Sequence, residues 1–175
     1  MNRSQFEHTI RAAAGVVGVD EVIVIGSQSI HPYMDPVPDA AQRSVETDIV
    51  LFDDADGAKA DLVDGAIGEA SMFHQTFGYY AQGITIGTAL LPEGWRDRLV
   101  RYESPNTNGV VAWCLSPEDV WIAKALAGRP KDVEFCRALL EGNHVDRALL
   151  STLLDRTRAD PARIDRAHSL IEQAG

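Results

Sequence analysis

The spacing of apolar residues divides the chain into a first part that mixes strands with helices and a last part that is helical. Apolar residues recur at helical spacing before Gly18, and the next apolar run, 22–25, ends in Gly26 and Ser27. An apolar run closed by small turn-forming residues is typical of a buried strand. The pattern predicts a helix that is capped by Ser4 and stops at Gly18, followed by a first strand and a short helix after the Gly-Ser turn.

The remaining elements follow from the same periodicities. The pattern predicts strands over 46–52, 99–102 and 110–115, strand-like segments at 79–81 and 84–86, and helices over 58–67, 116–127, 131–141, 145–156 and 161–173. This order predicts an α+β fold, in which a mixed β-sheet flanked by helices precedes a C-terminal helical segment. We expect residues 1–115 to form the core and residues 116–175 a helical region packed on it as a single compact unit.

Two acidic residues, Glu46 and Asp48, lie two positions apart in the second predicted strand. Alternate side chains of a strand share a face, so the two carboxylates would project side by side. Adjacent carboxylates repel one another unless a cation lies between them, and Mg²⁺ is usually held by one or two carboxylates together with substrate phosphates. A Gly-Ser turn opposite this pair predicts a site for a metal-bound triphosphate. The alternatives stay open, because Gly-Ser after a strand is most often a plain turn and alternating acids often mark the solvent face of an edge strand.

Two charged residues of the helical region have structural as well as functional interpretations. Lys124 lies in an otherwise apolar helix. It is either a lysine whose stem covers the core while its head reaches water, or a cation that contacts a triphosphate. Asp132 lies near the start of the next helix, where the helix dipole favours an acid, and that role is the favoured interpretation from the residues alone.

Composition places the chain among ordinary globular proteins, since 45% of its 175 residues are hydrophobic and 24% are charged. No run reaches the roughly 18 apolar residues that a transmembrane helix needs, and the first residues lack the pattern of a signal peptide. The two cysteines, Cys114 and Cys136, show no metal-site spacing. We therefore expect a cytoplasmic protein with two reduced thiols and no membrane partner.

The net charge of −10 is unevenly distributed along the chain. Residues 1–90 carry 4 Lys and Arg against 13 Asp and Glu, whereas residues 91–175 carry 12 against 13. A chain this acidic is a poor non-specific binder of nucleic acid, because that affinity comes from neutralised phosphates. Ordinary solvated helix faces are the favoured interpretation of the C-terminal arginines, and a local basic face stays open.

Other familiar chemistries are absent from the sequence. The five histidines are scattered, and the chain has no zinc-type His-Glu-x-x-His segment, no Gly-x-Ser-x-Gly elbow, no phosphate-binding Gly-x-x-x-x-Gly-Lys loop and no Gly-x-Gly-x-x-Gly turn. These absences leave the Gly-Ser turn and the acidic pair as the leading candidate site.

Together these residues resemble the nucleotidyltransferase-fold superfamily, whose hallmark is a strand, a Gly-Ser turn, a short helix and then a strand with an acid-x-acid pair. More narrowly, the chain resembles a bacterial family of nucleotidyltransferase-like proteins of the DUF6036 type, related to the AbiEii-type toxins of type IV toxin–antitoxin systems. The resemblance covers about residues 20–142 and is carried by five segments, 25–30, 44–48, 73–81, 91–95 and 124–132.

The resemblance implies transfer of a nucleotidyl group from an NTP to a hydroxyl on an RNA or protein acceptor, with Mg²⁺ as cofactor and, for a toxin, an antitoxin as partner. It implies roles for six residues: triphosphate binding for Gly26 and Ser27, Mg²⁺ binding and catalysis for Glu46 and Asp48, and nucleotide binding for Lys124 and Asp132.

Two departures from the superfamily pattern leave a second interpretation open. The first metal ligand is Glu46, where Asp is commoner, and the third carboxylate expected on the next strand has no counterpart within 79–83. Asp61, Asp64 and Glu69 are the candidates to replace it. We therefore weigh an enzyme, the favoured interpretation, against a non-catalytic nucleotide- or partner-binding member of the fold.

Overall fold

A five-stranded mixed sheet lies at the centre of the protein. The computed structural model describes residues 1–173, apart from the side chain of Ala41. The strands are β1 (Glu21–Ile25), β2 (Glu46–Val50), β3 (Tyr80–Gly83), β4 (Val100–Tyr102) and β5 (Val111–Cys114). Their order in the sheet is β3-β2-β1-β5-β4. β1 is antiparallel to β2 and parallel to β5, while β2 and β3 are parallel and β4 and β5 antiparallel.

Helices flank both faces of this sheet. They are α1 (Arg3–Val17), α2 (Asp39–Gln42), α3 (Ala58–Ile67), α4 (Met72–Phe77), α5 (Pro117–Ala127), α6 (Pro130–Glu141), α7 (Arg147–Asp155) and α8 (Pro161–Gln173). The predicted α+β fold, with a mixed sheet followed by helices, is confirmed. None of the helices described between residues 1 and 173 is long and apolar enough to cross a bilayer.

Local cap chemistry explains where the helices begin and end. Gly18 ends α1 in the left-handed conformation, as predicted. The predicted cap at Ser4 is wrong, because Asn2 begins the helix: its side chain accepts a hydrogen bond from the Gln5 amide, and the Gln5 side chain accepts one from the Asn2 amide. Asparagine caps a helix as well as serine does, so the reciprocal Asn2–Gln5 arrangement replaces the expected one.

The segment between α3 and β4 departs most from the sequence prediction. Residues 72–77 form the short helix α4, which the spacing of apolar residues does not predict. The strand-like segment at 84–86 is not a strand: Ile84 donates one hydrogen bond to Ile49, and the chain then enters a 3₁₀ turn at Ile86–Thr88. β2 ends at Val50, so a continuation of β3 has no neighbouring strand to pair with.

Alternation along the strands gives the sheet two apolar faces. One face carries Val22, Val24 and Ile49 and packs against α1 and α3. The other carries Ile23, Ile25 and Val50 and packs against α5–α8. A single apolar cluster on this second face therefore includes residues from both sides of the predicted boundary between residues 115 and 116. The division of the chain at that boundary stays a prediction. Glu46 and Asp48 share the parity of Val50, so they lie on this second face beside α5 and α6.

Candidate active site

The register of β1 and β2 places Asp48 beside the Gly-Ser turn. Ile25 lies directly opposite Asp48 in the antiparallel pair, so the turn starts next to the carboxylate. Gly26 has a φ of 75°, and a Cβ built on it would lie well inside van der Waals contact of Asp48 Oδ2 and 3.1 Å from Cγ. Glycine is required here both for the left-handed backbone and for the close approach of the carboxylate.

Ser27 follows this turn as the first residue of a 3₁₀ helix, Ser27–Ile30. Its side chain is buried, yet no group among the described residues forms a hydrogen bond with its hydroxyl. Ser27 lines a cleft of about 230 Å³ together with Glu46 and Lys124, which we call the Ser27 cleft. The hydroxyl is therefore available to a ligand that enters this cleft.

The two carboxylates of β2 have different surroundings. Glu46 accepts a hydrogen bond from the Tyr80 hydroxyl at 3.2 Å and forms an ion pair with Lys131 at 3.4 Å. The half-buried Asp48 carboxylate accepts no hydrogen bond from any described residue. Burial, and then the nearby charge of Glu46, raise the pKa of Asp48 to about 6, against the opposing charges of neighbouring cations that include Lys124.

A buried ion-pair network holds Lys124 next to these acids. Its Nζ lies 3.2 Å from Asp132 Oδ1, and Arg129 Nε lies 2.6 Å from Asp132 Oδ2. Lys124 and Asp132 are 9% and 1% exposed, so the lysine head lies in an ion pair and not in open water. Burial works to raise the pKa of Asp132, but the hydrogen bonds and charges of Arg129 and Lys124 outweigh it and hold that pKa below its usual value. Asp132 is thus placed to position Lys124. It also lies in the first turn of α6, where the helix dipole favours an acid.

The structure brings the six predicted residues to two clefts that share Lys124. Ser27, Glu46 and Asp132 line the Ser27 cleft together with Lys124. Gly26 and Asp48 line a second cleft of about 360 Å³, also with Lys124, which we call the Asp48 cleft. Each cleft is therefore lined by one carboxylate of the acidic pair and by Lys124.

The position expected for a third carboxylate holds an amide. Gln82 of β3 is the register partner of Asp48, so its side chain shares the face of the acidic pair. Asp61 and Asp64 belong to α3, which packs on the opposite face, and Asp64 accepts a hydrogen bond from the Gly83 amide at 3.0 Å. Glu69 lies in the exposed turn that follows α3. Within residues 1–173, no group of three His, Cys, Asp or Glu side chains is arranged to hold a metal.

Comparison with known families agrees with this geometry. The model of the DUF6036 family, described as a nucleotidyltransferase of unknown function, matches residues 8–170. The chain belongs to this family. No curated protein and no solved structure matches the chain significantly. The family description indicates a nucleotide substrate for this DUF6036 protein, while the relationship to AbiEii toxins stays a prediction.

The donor set of this DUF6036 protein fits a single Mg²⁺ ion completed by substrate oxygens. Asp48 offers a carboxylate without a hydrogen-bond donor among the described residues, and Glu46 offers a second one on the same strand face. Hard oxygen donors of this kind are the ligands that Mg²⁺ takes when it also binds a triphosphate. Glu46 would exchange its ion pair with Lys131 for the ion.

Several residues around the acids were not identified from the sequence. Arg129 and Lys131 lie just before Asp132 in the chain, and only the approach of this segment to β2 shows that both act on the carboxylates. In the sequence, Tyr80 and Gln82 lie in the segment where the third carboxylate is missing. Their alternation with Ala81 was the signal that both side chains share the face of the acidic pair.

Removing the close approach at Gly26 tests how the turn positions Asp48. We expect Gly26→Ala to lower the free energy of unfolding by at least about 2 kcal/mol, because it combines left-handed backbone strain with a clash against the carboxylate. Gly15→Ala is the control, since Gly15 lies inside α1 with nothing within 4 Å of an added Cβ. The free energy of unfolding of the control, measured by urea unfolding, should rise by about 0.5–1 kcal/mol. Equal effects of the two substitutions would contradict the proposed constraint.

The raised pKa of Asp48 predicts a pH-dependent effect on stability. Folding raises this pKa from 3.8 to about 6, so the ionised carboxylate destabilises the native state. The destabilisation is complete above the folded-state pKa of about 6 and disappears below the unfolded-state pKa of 3.8. In metal-free buffer, Asp48→Asn should therefore raise the free energy of unfolding by up to about 3 kcal/mol at pH 8. The gain should shrink as the pH falls from 6 toward 4.

Chemical unfolding at pH 8, 6 and 4.5 measures this effect. Asp61→Asn on the exposed surface of α3 is the control and should give no comparable gain. A gain for Asp48→Asn that is the same at all three values of pH would show that burial and Glu46 do not perturb this carboxylate.

Proposed function

We propose that this protein is a Mg²⁺-dependent nucleotidyltransferase that moves a nucleotidyl group from an NTP to a hydroxyl on an RNA or protein acceptor. One observation carries the proposal: the Gly26 backbone closely approaches an unpaired Asp48 carboxylate, in a cleft that is also lined by a lysine that Asp132 holds in place. A triphosphate needs a cation site, backbone that can approach closely and a fixed positive charge, and all three meet here.

Each residue of the site would have a distinct task in this reaction. Glu46 and Asp48 would hold Mg²⁺, which polarises the phosphate and neutralises charge on the leaving pyrophosphate. The Ser27 hydroxyl would bind phosphate oxygen in the Ser27 cleft. Lys124 would stabilise negative charge that develops during transfer, and Asp132 would keep its Nζ in position.

The chemical step would replace a phosphoanhydride bond of the NTP with a phosphoester bond to the acceptor. The acceptor oxygen forms a bond to the α-phosphorus while the bond from that phosphorus to the bridging oxygen breaks, and pyrophosphate leaves. The proton of the acceptor hydroxyl passes to a carboxylate of the acidic pair or to solvent. A pKa of about 6 leaves Asp48 largely ionised at neutral pH, which suits it to bind a cation or accept a proton.

Two observations favour a second candidate function, a nucleotide-binding protein without turnover. Gln82 provides an amide at the register position of Asp48, which supplies no negative charge for a second metal ion. Lys131 also forms an ion pair with Glu46 and would compete with a metal for it. This candidate predicts NTP binding without release of pyrophosphate. The toxin role and the antitoxin partner that the AbiEii resemblance implies stay predictions.

Calorimetric titration of each NTP with and without Mg²⁺ tests the proposed site. We expect at least one NTP to bind only with Mg²⁺, and we expect Glu46→Ala/Asp48→Ala to abolish that binding because both metal ligands are lost. Asp61→Ala serves as the matched acidic control on the opposite face of the sheet and should bind as the wild type does.

Two outcomes would contradict the assignment. Either no NTP binds to the wild-type protein with Mg²⁺, or the double variant retains metal-dependent binding. Circular dichroism of the double variant separates a lost site from a lost fold.

A further inference from the structure

Glu46 lies where the nucleotidyltransferase pattern more often has aspartate, and its side chain is longer by one CH₂ group. The extra group adds a rotatable bond, so a glutamate carboxylate samples more positions than an aspartate carboxylate does. Metal-binding and catalytic groups must be held within about 0.5 Å of their productive positions. Glu46 therefore needs a partner that fixes its carboxylate before a metal binds.

The hydroxyl of Tyr80 is such a partner. Tyr80 is the register partner of Glu46 in the parallel β2–β3 pair, so the two side chains lie next to each other on one face of the sheet. The hydroxyl donates a hydrogen bond of 3.2 Å to Glu46 Oε2. A tyrosine hydroxyl keeps its proton at neutral pH and so remains a donor to an ionised carboxylate. The contact restrains one oxygen of Glu46 and leaves its negative charge intact.

The Tyr80 side chain is itself held in place. It is 7% exposed, and the Tyr80 backbone amide donates a hydrogen bond of 2.9 Å to the Val45 carbonyl. The His74 ring of α4 packs on the Tyr80 ring with a centroid distance of 4.7 Å. Nδ1 of His74 accepts a hydrogen bond from the Ala70 amide at 3.1 Å, which fixes the orientation of that ring. Tyr80 is thus a rigid support for Glu46, and α4 contributes to it although none of the residues of this helix is buried.

The other oxygen of Glu46 has a partner that is easily displaced. Lys131 Nζ lies 3.4 Å from Oε1, and the lysine side chain is 62% exposed. An exposed ion pair of this kind contributes little to stability, because solvent screens it and the lysine loses side-chain entropy in forming it. A metal would therefore replace Lys131 at Oε1 while the buried Tyr80 keeps Oε2.

We propose that Tyr80 is a positioning residue of the metal site, whose hydroxyl holds Glu46 Oε2 and leaves Oε1 for the Mg²⁺ ion that accompanies an NTP. This inference rests on the proposed function, because Tyr80 acts on that site only through Glu46. The hydrogen bond of 3.2 Å is long for a hydroxyl donor, and we expect it to shorten when the site is filled.

Calorimetric titration of each of the four NTPs in the presence of Mg²⁺ tests this role by binding, without turnover. The test variant is Tyr80→Phe, which removes the hydroxyl and keeps the ring. Tyr79→Phe is the matched control, because Tyr79 is the adjacent buried tyrosine and lies on the opposite face of the sheet. The Tyr79 hydroxyl pairs with His8 Nδ1 at 2.8 Å, so the control also removes one hydrogen bond.

Tyr80→Phe should bind the Mg²⁺–NTP complex about tenfold more weakly than the wild type does, because groups that orient a metal ligand have effects of this size. Tyr79→Phe should bind as the wild type does. Equal affinities of the wild type and Tyr80→Phe, or equal losses in the two variants, would overturn the positioning role.

The same substitution in a Glu46→Asp background shows whether Tyr80 acts through residue 46. Aspartate is one CH₂ group shorter and loses the hydrogen bond with the hydroxyl. Adding Tyr80→Phe to Glu46→Asp should therefore leave the affinity of Glu46→Asp unchanged. A general disturbance of β3 would instead weaken binding by the same factor in both backgrounds, and that result would contradict the role of Tyr80.

The wild-type titration separates failure of this role from failure of the proposed function. Absence of Mg²⁺-dependent binding for every NTP would overturn the proposed function, and the role of Tyr80 with it. Mg²⁺-dependent binding by the wild type that Tyr80→Phe leaves unchanged would overturn the role of Tyr80 alone.

Discussion

The close approach of the Gly26 backbone to the Asp48 carboxylate is the constraint on which the candidate site depends. It exists only because β1 and β2 are antiparallel in a register that sets Ile25 opposite Asp48. A side chain at position 26 would occupy the volume of the carboxylate, and most side chains would not adopt the local backbone conformation. The same contact places Ser27 and the two carboxylates close to the residues of α5 and α6 that line the two clefts.

Electrostatic balance is the second feature of this region. Three carboxylates, Glu46, Asp48 and Asp132, lie among three cations, Lys124, Arg129 and Lys131. Asp132 takes most of the direct contact with Lys124 and Arg129, so Asp48 keeps a raised pKa despite the cations nearby. A half-buried carboxylate left without a hydrogen-bond donor destabilises the fold unless a ligand compensates its charge, and a metal-bound triphosphate would do so.

Much of this arrangement could be predicted from the sequence because it depends on local rules. Two acids at alternate positions of a strand share a face wherever the strand lies, and Ser116, Gly18 and Gly128 end or begin helices through their own backbone chemistry. The buried partner of Lys124 could not be predicted, because the contact joins two helices at an angle that periodicity does not specify. The strand-like segment at 84–86 fails for a similar reason, since pairing requires a neighbour and β2 has already ended.

The fold also shows how residues distant in sequence acquire a shared role. Arg163 lies on α8 and Asp48 on β2, yet the packing of α5–α8 on one sheet face brings both to the Asp48 cleft. The sequence alone favours an ordinary solvated helix face for this arginine. Only the cleft that it shares with Asp48 connects it to the candidate chemistry.

Release of pyrophosphate together with transfer of an α-phosphorus label would show directly whether the protein is a nucleotidyltransferase. Wild-type protein, Mg²⁺ and each α-labelled NTP would be incubated with total RNA and protein, and both products counted. We expect pyrophosphate and labelled acceptor in equal amounts, with both products lost in Asp48→Ala and unchanged in Asp61→Ala. Metal-dependent NTP binding with no pyrophosphate and no transferred label for any NTP would contradict the proposed function and identify a non-catalytic nucleotide-binding protein.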